Sequence, residues 1–457
     1  MQANSKPFYF ILSVFIIVLA VSFLGHTFSV FGLQFKNINI ISDLLPVASS
    51  DTSGLPVPKA EKSDIDSIPD FRKSESIIGY EKNGTLEAFI KALEELRQGK
   101  RKKVRVGYFG DSMIEGDLIT QDIRNMLQGY FGGSGVGFVP VTSVTAGFRQ
   151  SIVHSFSSNW LDENFRSAGK DGLRSLYLSG HAFRPGESSL VQYSPGRYNA
   201  GRFNEIYLVY GPTDSTSTFT LNDSVMTFQF HNLVNKQCVG TSRNEIKARF
   251  SGSKDLLYGF SFESERGVFV DNFSFRGISG IELRHLSPEV LESIHNVQSY
   301  DLIVLQYGAN LLFSPDLKDF GWYREPLKNT IVRLESSFPE ASILIIGTAD
   351  KACRYDGEYR TQKGVLPLIE IQNQVAQETK VNFWNLYNSM GGRNSMIRWV
   401  NSNPPLANID YTHLTHKGAN QIARLLFNKL MDVYDPEVSS RSQIQPIVRH
   451  VNASRGL

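Results

Sequence analysis

Three short stretches of this 457-residue chain carry side chains whose types and spacing are suited to chemistry. The first, FGDSMIEGD at 109–117, sets Ser112 after an apolar run and before a helical pattern. A serine on a tight strand-to-helix turn presents its hydroxyl at the sheet edge, and the backbone N–H groups there can stabilise a developing oxyanion. The same Gly-Asp-Ser turn also reads simply as an Asp/Ser helix cap. The second stretch, IDYTHLTHKGA at 409–419, holds Asp410 and His413 three positions apart. One helical turn would point both the same way. A carboxylate bonded to one imidazole nitrogen leaves the other as a base. His416, one turn on, is a rival base, and a surface Asp–His pair is the structural alternative. The third, QYGAN at 306–310, ends on Asn310, whose amide at the end of a strand can donate to an oxyanion. No HExxH or His-x-His occurs in the chain, so a zinc site is not expected.

These residues need elements to bring them together. Strand patterns at 104–109, 302–306, 342–347 and 381–386 alternate with helical patterns at 118–130, 322–338 and 365–379. A last helix runs from Thr415, its N-cap, with Ile422, Leu425, Leu426 and Leu430 facing inward. This βα alternation predicts a mostly parallel sheet covered on both faces, with ligands at the carboxyl ends of its strands. From about 150 to 273 the rhythm changes to period two, at 205–211, 217–231 and 267–275, and Asn222-Asp223 marks a hairpin. A β-rich, sandwich-like unit inserted at 151–274 is expected.

Composition narrows the class of molecule. Apolar residues are 41%, charged residues 20%, and the formal net charge is +2, which are values of a folded protein without a bulk field for nucleic acid. Residues 8–24, FYFILSVFIIVLAVSFL, carry no charge and reach roughly 26 Å as a helix. Lys6 precedes them, so residues 1–26 read as an uncleaved signal anchor, with a cleavable signal peptide as the rival reading; either puts the body outside the cytoplasm (periplasmic). Residues 27–82 read as a linker and 436–457 as a polar tail. Two cysteines, Cys238 and Cys353, are open to oxidation or stand as separate thiols. Cys353, flanked by Lys351 and Arg354, is an outlying candidate nucleophile.

Taken in order, GDS at 110–112, RGISG at 276–280, GAN at 308–310 and DYTH at 410–413 resemble the four blocks of the SGNH, or GDSL-type, hydrolases. The resemblance covers 83–150 and 275–435. It implies a flavodoxin-like three-layer α/β domain, Ser112 as nucleophile, His413 as base and Asp410 as its orienting partner. It also implies an oxyanion hole from the Ser112 and Gly280 backbones and the Asn310 side chain, with no cofactor or metal. One departure is Leu311, where the family pattern has a second polar residue. Gly280 lies 168 residues after Ser112, and the inserted β unit resembles the layout of Ape-type peptidoglycan O-acetylesterases. The function implied is removal of acyl groups from an acetylated cell-envelope glycan. Alternatives are an O-acetyltransferase beside a membrane-bound acyltransferase partner, or a non-catalytic glycan-binding protein. Tyr193, Tyr198, Tyr207 and Tyr210 of the insert are expected to pack within the sandwich rather than form a sugar platform.

Overall fold

The computed structural model describes residues 29–30, 33–34, 75–81, 84–169, 172–197, 203–213, 217–251 and 255–435. The apolar run at 8–24, most of 27–82, the tail at 436–457 and Tyr198 lie outside them. Residues 1–60 form one unit and 61–457 another. In the first, Ser29–Val30 pairs antiparallel with Leu33–Gln34. Among the described residues no helix is long and apolar enough to cross a membrane.

The second unit is built on a parallel sheet. Its strands are β1 (Lys103–Gly110), β2 (Gly267–Ser274), β3 (Leu302–Gln306), β4 (Ser342–Ile346) and β5 (Asn382–Trp384). Their order is β2-β1-β3-β4-β5, all parallel. This is the flavodoxin-like order, in which the chain reverses direction of travel beside β1 and opens a crevice at the strand ends.

The strand sequences explain the layering. Successive side chains point to opposite faces. Val104, Val106 and Tyr108 of β1, Leu302 and Val304 of β3, and Leu344 and Ile346 of β4 enter one core. Phe109, Ile303, Leu305, Ile343 and Ile345 enter the other. Helices α1 (Glu87–Arg97), α2 (Thr120–Phe131) and α6 (His416–Tyr434) contribute to the first core. Helices α3 (Pro288–Val297), α4 (Gly321–Ser337) and α5 (Val365–Thr379) contribute to the second. Thr415 caps α6 by accepting from the Gly418 N–H at 3.2 Å, as its position suggests. The Ile422, Leu425, Leu426 and Leu430 face is buried, each such side chain contributing about 1.5–3 kcal/mol.

Between α2 and β2 the chain builds two antiparallel sheets. One has Ser224–Thr227, Thr218–Leu221, Ile246–Phe250, Ser189–Pro195 and Ile152–Phe156 side by side. The other runs Asn235–Arg243, Phe203–Tyr210, Leu257–Glu263, His181–Pro185 and Trp160–Asn164. Residues of both, including Ile152, Tyr193, Phe219, Ile206 and Phe260, meet in a third core. Asn222 and Asp223, with φ of 45° and 68°, make the two-residue hairpin turn.

Two boundaries differ from the sequence reading of 151–274. Gly267–Ser274 belongs to the parallel sheet, not to the insert, because it pairs with β1 along its whole length. Its first seven residues are buried, so its apparent alternation is not that of a strand with a solvent face. Conversely, Gly137–Pro140 pairs antiparallel with Leu257–Glu263 and opens the sandwich before position 151.

Candidate active site

The turn after β1 carries the nucleophile candidate. Gly110 allows it: a Cβ there would meet the Ile114 side chain at 2.9 Å and the Gln306 carbonyl at 3.0 Å. Asp111 is fully buried, and its Oδ1 accepts from the Met113 N–H at 2.9 Å, which folds the chain sharply after Ser112. Beyond Ser112, Gly116, Asp117 and Ile119 have φ of 65°, 68° and 64°. A left-handed Ile is costly, and such backbone persists only where its surroundings over-determine it. Asp117 supplies that support. It receives both terminal nitrogens of Arg124 at 2.8 Å, Arg149 at 3.1 Å and the Thr120 hydroxyl at 2.6 Å. Burial disfavours its charge, but the two guanidinium groups outweigh this and hold the carboxyl well below the usual range.

The second piece arrives from 301 residues away. Ser112 Oγ lies 2.8 Å from His413 Nε2, and His413 Nδ1 lies 2.6 Å from Asp410 Oδ2. The carboxylate fixes the proton on Nδ1 and leaves Nε2 to accept from the serine. The hydrogen bond that His413 donates to Asp410 raises the His413 pKa above its ordinary 6.5, against the effect of burial. Burial also works against the Asp410 charge, but hydrogen bonds from the His413 ring, its N–H and the Thr412 N–H bring that carboxyl down to about 2.

The expected helical turn is not what aligns this pair. Residues 408–415 form a loop before α6, closed by the Ala407–Leu414 bridge. Asp410 Oδ1 accepts from the N–H groups of Thr412 and His413, and Tyr411 between them takes φ of 55°. A side-chain-capped turn thus gives the three-residue spacing its geometry. His416, the rival base, packs edge-on against Phe148 with ring centroids 4.8 Å apart and opens α6 instead.

The other named groups gather at the same end of the sheet. Gly280 has φ of 90°, and a Cβ there would strike the Tyr307 ring at 2.5 Å, so only glycine fits. Neither the Ser112 nor the Gly280 N–H has an acceptor among the described residues. The Asn310 amide is already committed, donating to Asp111 Oδ2 at 3.1 Å and the Ile278 carbonyl at 2.9 Å. To serve an oxyanion it must exchange one of these bonds. Leu311 is buried in the core beneath, so the position after Asn310 packs instead of donating.

Three further residues act on the site without having been singled out. Asp111 is pushed up to about 6 by burial, which outweighs its hydrogen bonds from the Met113 and Gly308 N–H groups and the charge of His413. Lys351, lowered by burial, donates to the carbonyls of Ala309 at 3.1 Å and Leu312 at 2.9 Å, and so braces the Asn310 loop. Arg276 forms an ion pair with Glu115 at 2.6 Å, tying the 276–280 segment to the serine turn. Asp111 and Arg276 lie inside the quoted motifs, whereas Lys351 was marked only as a flank of Cys353.

Several alternatives resolve on position. Cys238 and Cys353 are both free thiols. Tyr193 is buried and donates to the Pro140 carbonyl at 2.7 Å, Tyr210 is buried and donates to Gln237, and Tyr207 lies under Lys103 and Lys236. Among the described residues no group of three or more His, Cys, Asp or Glu could hold a metal ion.

No protein-family model and no curated protein sequence matches the chain. Among solved structures, a peptidoglycan O-acetylesterase is similar with a TM-score of 0.65 and 22% identity, covering 78% of this chain and 99% of that one. That likeness establishes a shared fold. A family two carbohydrate esterase from Cellvibrio japonicus aligns at a TM-score of 0.26 with 9% identity, over 66% of this chain and 99% of that one. The salicylyl-acyltransferase SsfX3 aligns at 0.29 with 11% identity, over 64% and 97%, and neither of these two carries an argument.

Proposed function

We propose that this chain is a serine esterase that removes O-acetyl groups from a cell-envelope glycan such as peptidoglycan. The observation that carries the reading is the linear array Ser112–His413–Asp410, joined at 2.8 and 2.6 Å from two distant segments. The shared fold with a peptidoglycan O-acetylesterase supports the choice of substrate class.

In this mechanism His413 Nε2 takes the Ser112 proton as Oγ attacks the acetyl carbonyl. The negative charge moves to the carbonyl oxygen, which the Ser112 and Gly280 N–H groups receive. Asn310 joins them by exchanging its bond to the Ile278 carbonyl for one to the oxyanion. The intermediate collapses when His413 returns the proton to the departing sugar oxygen. Water, deprotonated by His413, then attacks the acyl-enzyme, and as the Ser112 Oγ–acyl bond breaks His413 returns that proton to Oγ and acetate leaves. Asp410 stays ionised throughout and stabilises the imidazolium. The proposed setting is extracytoplasmic, with the 8–24 run as the anchor.

The test is labelling of the full chain with a fluorophosphonate, followed by peptide mapping and acetate release from O-acetylated sacculi. We expect the label on Ser112, and both label and acetate release lost in Ser112→Ala. Acetate release undiminished in Ser112→Ala would falsify the assignment. Acetyl transfer to a chito-oligosaccharide in place of acetate release would make it a transferase with the same acyl-enzyme.

A further inference from the structure

The loop bearing Asp410 and His413 belongs to no helix or sheet, yet it must hold an imidazole in line with a serine hydroxyl. At its apex sits Tyr411, with φ of 55°. A bulky residue there is a true outlier, held only by what surrounds it. Inside the loop, the Tyr411 N–H donates to the Asn408 carbonyl at 3.0 Å. Outside it, Tyr411 packs on the buried core and is held by the hairpin of Ala352–Tyr355 and Glu358–Thr361. The Ala352 N–H donates to the Tyr411 carbonyl at 3.1 Å. The Tyr359 ring stacks on the Tyr411 ring with centroids 3.8 Å apart and planes 17° from parallel. Arg354, the cross-strand partner of Tyr359, places its guanidinium 5.2 Å from the Tyr359 centroid.

The hairpin is itself firmly held. Thr361 and Asn394 exchange two hydrogen bonds, at 3.0 and 2.6 Å, and the Gln362 N–H donates to the Lys351 carbonyl at 2.7 Å. Lys351, at its base, braces the Asn310 loop. One hydrogen-bonded piece thus touches both the acid–base loop and the oxyanion loop.

We propose that Tyr359 is a positioning residue that, through its stack on Tyr411, holds Asp410 and His413 in register with Ser112. The inference rests on the esterase reading for its kinetic consequence, but its structural content is independent of it. Besides Asp410 from its own loop, the charged groups acting on His413 are Asp111 from the serine turn and Lys351 from the base of the hairpin. Loosening the loop weakens the Asp410 bond while Asp111 and Lys351 stay in place.

Full-length wild type, Tyr359→Phe and Tyr359→Ala are compared by kcat and KM on p-nitrophenyl acetate and by NMR titration of the His413 ring. We expect Tyr359→Ala to lower kcat about 10- to 100-fold, with KM nearly unchanged, since small misplacements cost on that scale. Its His413 midpoint should fall toward the ordinary value. Tyr359→Phe, which keeps the stack, should restore both. A Tyr359→Ala protein with wild-type kcat and an unmoved midpoint overturns the proposal. If the wild type hydrolyses no ester, the esterase reading fails, while the NMR midpoint still decides the role of Tyr359. Should Tyr359→Ala not fold, Tyr359→Leu removes the ring stack while keeping bulk, and the same two readouts apply.

Discussion

In the proposed mechanism His413 is the residue on which the chemistry turns, and its titration is set by neighbours of opposite sign. Asp410 and Asp111 stabilise the imidazolium, whereas Lys351 opposes it. The base must be neutral to accept the Ser112 proton, so activity is lost as pH falls through a midpoint above 6.5. Removing the Asp111 charge should move that limb to lower pH, and removing the Lys351 charge should move it higher. The pH dependence of kcat/KM for Asp111→Asn and Lys351→Met measures both shifts. Limbs that do not separate in these opposite directions would mean that His413 is not the titrating base. The identities of these residues were partly legible: Ser112, Asp410 and His413 stood out by type and spacing. Lys351 did not, because a lysine that braces two carbonyls through tertiary contact has no signature in its flanking sequence.

At the level of elements, the strained turn after β1 depends on a buried charge arrangement. Asp117 sits between Arg124 and Arg149, all three side chains almost wholly inaccessible. Replacing Asp117 by Asn leaves two guanidinium groups without their carboxylate. Breaking a buried pair on one side costs about 3–5 kcal/mol. We expect Asp117→Asn to lower the thermal midpoint and to reduce labelling of Ser112, because the same carboxylate holds the turn. Differential scanning calorimetry with fluorophosphonate labelling of the folded fraction checks this. Normal labelling with a lowered midpoint would separate the turn from the network. The α/β elements that periodicity picked out lie within a residue or two of the observed ones at most ends, but α1 (Glu87–Arg97) and α3 (Pro288–Val297) were not picked out, and β2 was read as part of the insert. The Asp410–His413 loop was not: a spacing of three fits a helical turn and a side-chain-capped turn equally well, and only Tyr411 in the left-handed region separates them.

For the whole second unit, the sandwich and the parallel sheet share a charged seam. Lys103, Arg105 and Asp271 come from β1 and β2, while Glu205, Lys236 and Glu263 come from the sandwich. Glu263 is buried and contacts Lys103 and Arg105 at 2.8 Å and Lys236 at 2.6 Å. Its burial opposes ionisation, but the three cations hold its carboxyl well below the usual range. Glu263→Gln should therefore weaken both parts together and lower a single calorimetric transition, whereas two transitions moving apart would show that they unfold independently. By itself the sequence determined which faces of its helices and strands are apolar, where the alternation of βα units breaks, and which serine, histidine, aspartate and asparagine have chemistry to offer. Those are local properties, written in side-chain type and period. Only the tertiary structure decided that Gly267–Ser274 joins the parallel sheet, that His413 rather than His416 meets Ser112, and that the Asn310 amide is already engaged. Each of these depends on which distant groups the fold brings together, and partner choice across hundreds of residues leaves no trace in the spacing of either partner.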